Sequence, residues 1–234
     1  MTSSPPGRLR ILCVHGYRQN GSAFRERTGA LRKALKKHAE LVYITAPLRV
    51  TDPALQQQPA GGSQAVEPDS QTEDPRGWWF SNAQERSFHA GESCQSSLGL
   101  EESLEAVRRV VREQGPFDGI LGFSQGAALV AMICALQGQA GDAQGPFSFR
   151  FAVLIAGFRS VCEEHARFYT TPVSMPTLHV FGETDRVIPD HMSRELVSGF
   201  QNPQVLTHTG GHFVPAAAPQ KKVYCQFLDT FISK

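Results

Sequence analysis

No apolar run in this chain of 234 residues approaches the roughly 18 residues that a membrane-spanning helix needs, so no membrane span is expected. Charge imbalance is also lacking. With 23 basic and 22 acidic residues the net charge is +1, which gives no electrostatic footing for nucleic acid or an anionic membrane surface. The one basic cluster, Arg32, Lys33, Lys36 and Lys37, reads as the solvated face of a helix. Cysteine is sparse: five residues, an odd number without close-paired spacing, exclude a disulfide framework and a cysteine zinc site. Cys13 and Cys134 sit inside apolar runs and read as small buried hydrophobes. Reduced thiols imply an intracellular protein, with the cytoplasm as the expected compartment and the nucleus compatible with it. The eight histidines lack ligand spacing such as H-x-x-x-H with a nearby acid, so neither metal nor cofactor is expected.

The N-terminus has no secretory signal, because its first apolar run, Ile11 to Val14, is too short for a signal core and leads into a glycine-containing turn. Met1 to Arg10 has two arginines, two serines and no acid, a faint organelle-presequence composition that its shortness and two prolines oppose. There are no internal repeats.

What is present is a rhythm of strands and helices. Leu9 to Val14 is a continuous apolar strand closing at His15-Gly16, and continuous hydrophobicity suits a strand covered on both faces. A helix from Ser22 to about Lys37 follows, capped by Ser22 or Asn20, and then a strand at Leu41 to Ile44. That βαβ order predicts parallel strands. Residues 51–74 are rich in glutamine, glycine and proline and form a long, low-complexity loop. It ends in Gly77-Trp78-Trp79-Phe80, adjacent aromatics that serve either the core or a substrate wall. Leu100, Leu104, Val107 and Val111 mark a helix ending at Gly115-Pro116. Further strands are expected at Phe149 to Ala156, Thr177 to Phe181 and Val205 to Thr209. Helices are expected at Ala127 to Leu136, Asp190 to Phe200, and around Val223, Phe227, Leu228 and Phe231. Gly138 to Gly145 reads as a polar loop. The expectation is a single α/β domain over 8–234 behind a flexible 1–7 tail, with a mostly parallel, doubly wound sheet and no large cap domain.

The chemistry centres on Gly122-Phe123-Ser124-Gln125-Gly126, an apolar strand that breaks at a serine and continues as a helix. This is the order of a nucleophile elbow, in which a strained turn lifts the serine hydroxyl clear of the backbone. The pattern alone is weak, since a serine at a strand-to-helix junction is most often a helix N-cap. A serine nucleophile needs a base, and the base an orienting acid, which on such a fold leave later strand ends in the order Ser, Asp, His. Asp185, in Gly182-Glu183-Thr184-Asp185, and His212, in Gly210-Gly211-His212-Phe213, occupy those places. Asp185 also reads as an Asx-turn or helix-capping residue, and Glu183 is its rival acid. His208 rivals His212 but falls within a strand, whereas two glycines before His212 permit unusual dihedrals in a tight loop. An oxyanion hole would use the backbone N–H of Gln125 and that of Tyr17, with Arg18 in reserve. His15 reads as structural.

Cys13 to Gly21, Gly119 to Ala128, Val180 to Pro189 and Thr209 to Pro215 together resemble the FSH family of serine hydrolases. A vertebrate esterase branch of that family shares the Arg76-Gly77-Trp78-Trp79-Phe80 segment too. The resemblance runs from about Arg8 to the C-terminus. It implies an α/β-hydrolase fold, a Ser124, Asp185 and His212 triad, and hydrolysis of carboxylic esters, with long-chain alkyl esters the substrate class. From the residues, a small-molecule ester with an apolar acyl chain is the expected partner. Trp78, Trp79, Phe158 and Phe213 are candidates for an apolar acyl channel. Thioester hydrolysis by the same triad and a non-catalytic binding protein are the alternatives; no oligomeric state follows.

Overall fold

The structure, a computed structural model, describes residues 8–51, 73–140 and 145–232. The expected tail at 1–7 and nearly all of the expected loop at 51–74 lie outside these residues. In chain order the elements are β1 (Leu9–Val14), α1 (Gly21–Arg27), α2 (Gly29–Leu35), β2 (Ala39–Ile44), β3 (Leu48–Arg49) and β4 (Arg76–Gly77). Then come α3 (Leu100–Gln114), β5 (Gly119–Phe123), α4 (Gln125–Ala140), β6 (Phe151–Ile155) and a 3₁₀ helix (Glu163–Tyr169). The chain closes with β7 (Thr177–Gly182), α5 (Asp190–Val197), β8 (Gln204–His208) and α6 (Ala218–Asp229).

Six strands form one parallel sheet in the order β2-β1-β5-β6-β7-β8. Alternate residues of each inner strand feed opposite faces, as the two-residue strand period requires. Leu12, Val14, Ile120 and Leu154 pack with α3 and α4, whereas Ile11, Cys13, Leu121, Val153 and Ile155 pack with Phe24, Leu31, Tyr224 and Phe227 of α1, α2 and α6. Two covered faces explain why these strands read as unbroken apolar runs. The chain leaves β1 toward β2 on one side and returns to β5 on the other. The C-terminal ends of β1 and β5 therefore flank a topological switch point, where open α/β sheets place their sites.

Several boundaries differ from the sequence reading for identifiable reasons. The helix expected at Ser22 to Lys37 is two helices broken at Thr28. The Thr28 hydroxyl donates to the Phe24 carbonyl at 2.6 Å and pairs with the Tyr43 hydroxyl at 2.7 Å, and Gly29 follows it. Asn20, not Ser22, caps α1, its Oδ1 accepting from Ala23 N at 2.9 Å. The helix after the elbow runs to Ala140, through the start of the expected Gly138 to Gly145 loop, of which 141–144 lie outside the described residues. The last helix ends at Asp229, so Phe231 packs on the Phe151 ring from beyond it, at 4.5 Å between centroids. The antiparallel pair β3 and β4 brings Leu48 opposite Gly77, a pairing between segments too short to show periodicity. Among the described residues no helix is long and apolar enough to cross a membrane.

Candidate active site

Ser124 follows β5 directly and has φ +54°, a left-handed conformation that side chains normally avoid. Its N–H extends the ladder to the Ile155 carbonyl at 2.9 Å, and its carbonyl starts α4 by accepting from Ala127 and Ala128. Ser124 thus sits where an N-cap would, but its hydroxyl lies 3.0 Å from His212 Nε2. The turn depends on two glycines. A Cβ on Gly122 would lie 2.5 Å from the Gly126 carbonyl oxygen, and one on Gly126 would lie 2.3 Å from the His15 carbonyl oxygen. The second glycine therefore clears the end of β1, not only the strand-to-helix turn.

His212 Nδ1 lies 2.7 Å from Asp185 Oδ2, so the three candidate residues form one hydrogen-bonded line. The Asp185 side chain is fully buried, and its other oxygen, Oδ1, accepts from Val187 N at 2.8 Å and Ile188 N at 2.9 Å. The carboxylate makes two kinds of contact at once: one oxygen closes an Asx turn and the other meets the imidazole. The Asx turn in turn fixes the carboxylate's direction. Glu183 is exposed. His208, the rival histidine, accepts from Gly210 N at 3.2 Å through Nδ1 and meets the Phe213 ring at a tilt, 4.9 Å between centroids, which ties it to the base of the His212 loop. Burial holds its pKa below the ordinary histidine value.

The expectation that Gly210 and Gly211 adopt unusual dihedrals is not met, since Gly99 is the described glycine with positive φ. Close approach is the reason for Gly210: a Cβ there would lie 2.4 Å from the Phe213 ring, while Gly211 has room.

The loop after β1 reaches Ser124, because a Cβ on Gly16 would lie 3.3 Å from Ser124 Cβ. Arg18, with φ +64°, donates its N–H to the Arg76 carbonyl at 2.8 Å, so the reserve donor of this loop is already engaged. Gln125 opens α4, where first-turn N–H groups and the helix dipole favour an anion. His15 is structural: Nδ1 meets the Gly16 carbonyl at 2.7 Å, and Nε2 accepts from Ala46 N at 3.0 Å. That pattern requires a neutral ring, and burial lowers its pKa to about 4.

Sequence reasoning missed the Gln125 side chain. It is fully buried, accepts from Trp78 N at 2.9 Å and donates to the Trp79 carbonyl at 2.8 Å, holding the backbone where it bends after β4. The Trp78 indole N–H donates to the His15 carbonyl at 2.8 Å, and Ser103 Oγ donates to the Trp78 carbonyl. No sequence spacing signals these contacts. They correct the expectation of an open channel lined by Trp78, Trp79 and Phe158. All three are at most 1% exposed, held as core by these hydrogen bonds and by ring contacts among Trp79, Phe88 and Phe158. The cluster reaches the loop after β1 through Tyr17 and Phe88, at 5.3 Å between centroids. Phe213, beside His212, is half exposed. A cavity of about 860 Å³ bounded by Cys134, Gln137, Phe149 and Met175 lies toward the far end of α4, and no triad candidate lines it.

The family profile described as Serine hydrolase (FSH1) matches residues 3–224. Esterase OVCA2 from Danio rerio is 60% identical over 229 residues, covering 95% of this chain and 97% of that protein. Esterase OVCA2 from Homo sapiens is 49% identical over 227 residues, covering 95% of this chain and 96% of that protein. Among solved structures, Zea mays acyl-protein thioesterase 2 superposes with a TM-score of 0.64 at 19% identity, covering 97% of each chain, a likeness of fold.

Proposed function

The chain belongs to the FSH1 family of serine hydrolases, and from that footing we propose that it is a cofactor-free serine carboxylesterase acting through an acyl-enzyme. The observation that carries the reading is the hydrogen-bonded line from Asp185 through His212 to a serine held at positive φ.

In the proposed mechanism the Asp185 carboxylate accepts from His212 Nδ1–H, which keeps Nε2 free of a proton and facing Ser124 Oγ. As Ser124 attacks the ester carbonyl, Nε2 takes its proton and later passes it to the leaving alcohol. Asp185 stabilises the imidazolium between those steps. The N–H groups of Gln125 and Tyr17 would meet the developing oxyanion, each worth roughly 3 to 4 kcal/mol in such sites. Water, deprotonated by the same histidine, then releases the acyl group. An aliphatic acyl chain would lie along the apolar side of the site where Tyr17 and Phe88 meet, with Phe213 on the histidine side.

Ser124→Ala tests the reading. Hydrolysis of p-nitrophenyl esters should fall by about 10⁴-fold or more with the melting temperature retained, and a fluorophosphonate should label the parent at Ser124 alone. Retained turnover, or no labelling, would sink it. Matched oxygen esters and thioesters of increasing acyl length measure substrate preference, because the same triad can cleave both.

A further inference from the structure

Away from the triad, the segment from Phe80 to Leu98 is closed at its base by paired hydrogen bonds between those two residues, each 3.0 Å. Its far part lies against the start of the 3₁₀ helix: Glu163 N donates to the Cys94 carbonyl at 2.8 Å and Glu164 N to the Gln95 carbonyl at 3.1 Å. These backbone bonds set Cys94 beside Cys162, the residue that caps the 3₁₀ helix, and bring the two thiols close enough to interact. Both thiols are free; Cys94 is partly exposed and Cys162 buried. Cys162, Glu164 and His165 also present ligand atoms within 4.8 Å of one another. A metal is nevertheless poorly served there. Both imidazole nitrogens of His165 are already bonded to serine hydroxyls, Ser160 at 2.7 Å and Ser97 at 2.9 Å, and Glu164 Oε1 holds Ser97 N and Oγ.

We propose that Cys94 and Cys162 form an oxidisable dithiol site, taking low-molecular-weight disulfides of the glutathione class as its oxidant and closing a disulfide between the Phe80–Leu98 segment and the 3₁₀ helix. The partly exposed Cys94 reacts first. Its thiolate attacks one sulfur of glutathione disulfide, that S–S bond breaks, and one glutathione leaves as thiolate. Cys162 then loses its proton to water, and its sulfur attacks Cys94 Sγ to expel the second glutathione. Two protein thiols are oxidised and one glutathione disulfide becomes two thiols. Burial pushes the Cys162 thiol up to about 12, so the second step is slow and sets the pace.

The cross-link also bears on the buried segment behind Ser124. His165, three residues after Cys162, meets Trp79 edge-on at 5.7 Å between ring centroids, and the Trp79 carbonyl is held by the Gln125 side chain beside Ser124.

The test equilibrates the purified full chain with reduced and oxidised glutathione and maps peptides by mass spectrometry without reduction. A Cys94–Cys162 linked peptide is expected. The disulfide closes a loop of about 70 residues, so the melting temperature should rise by about 5 °C or more. Cys162→Ser should stop at a mixed disulfide of one glutathione on Cys94, and Cys94→Ser should leave Cys162 unmodified. Absence of the linked peptide under oxidising glutathione, or an equal yield of links involving Cys225, overturns the proposal. The ester kcat/KM should differ by about twofold or more between the dithiol and disulfide forms. That arm alone rests on the esterase reading; equal values remove the link to the site, while the mass and melting arms stand independently of it.

Discussion

Asp185→Asn separates orientation of the base from integrity of the fold, because the two carboxylate oxygens have different partners. Oδ1 accepts from Val187 N and Ile188 N, and Oδ2 meets His212 Nδ1 at 2.7 Å. An asparagine keeps both loop bonds only by placing its carbonyl oxygen at the Oδ1 position. Its NH₂ then points at His212, so Nδ1 must accept and the imidazole proton moves to Nε2. An Nε2–H facing Ser124 Oγ, now 3.0 Å away, can no longer take the serine proton. The stability cost is the exchange of a charge-assisted bond for a neutral one, about 1 kcal/mol, or roughly 2–4 °C in melting temperature. The kinetic cost should be about 10⁴-fold in kcat near neutral pH, equivalent to about 5 kcal/mol of barrier. The assay pairs ester hydrolysis with thermal melts of the same preparations. A kcat within about tenfold of the parent, in a variant that melts normally, would refute the tautomer argument.

Acid stability follows from buried histidines. His15 and His165 have pKa values lowered to about 4, first by burial, and so bind protons in the unfolded chain before the folded one. Their contribution is full above the unfolded value of about 6.5 and is lost as pH falls toward about 4, by about 3 kcal/mol for each. Urea melts across that window should show the midpoint falling steadily; a flat midpoint between about pH 6.5 and 4.5 contradicts neutral burial. Gly138→Ala should stabilise by about 0.5–1 kcal/mol, since this exposed helical glycine has nothing within 4 Å of an added Cβ. Gly126→Ala, 2.3 Å from the His15 carbonyl oxygen, should instead abolish soluble folded protein. Differential scanning fluorimetry of the two variants side by side checks both.

The parallel sheet and the triad candidates were legible because both are written in strand ends. Unbroken apolar runs report strands covered on both faces, and catalytic side chains leave such strands at their C-terminal edge. Ser124, Asp185 and His212 each stand one to four residues past β5, β7 and β8. What stayed hidden depends on partners that no sequence pattern marks. The break at Thr28 needs Tyr43, whose hydroxyl meets the threonine from β2. The reason for Gly210 is a ring three residues later, which a dihedral argument could not supply.

The Trp78-Trp79 pair shows why burial alone does not divide core from site. Composition left the two roles open, and structure puts both indoles in the core, yet their backbone groups are paired by the residue that follows Ser124. Gln125 thereby joins three constraints: its main chain begins α4, its N–H is the proposed oxyanion donor, and its side chain is locked by Trp78 and Trp79. His15 closes the circuit, since its carbonyl receives the Trp78 indole while its ring holds Ala46. The two loops proposed to donate to the oxyanion are thus braced against one tryptophan. An apolar replacement of Gln125 would leave the Trp78 N–H and the Trp79 carbonyl buried without partners, at about 1–3 kcal/mol each. A penalty of that size beside Ser124 would be felt in the alignment of the proposed oxyanion donor before it was felt in the fold, because the sheet that carries β5 is anchored on both faces by independent clusters.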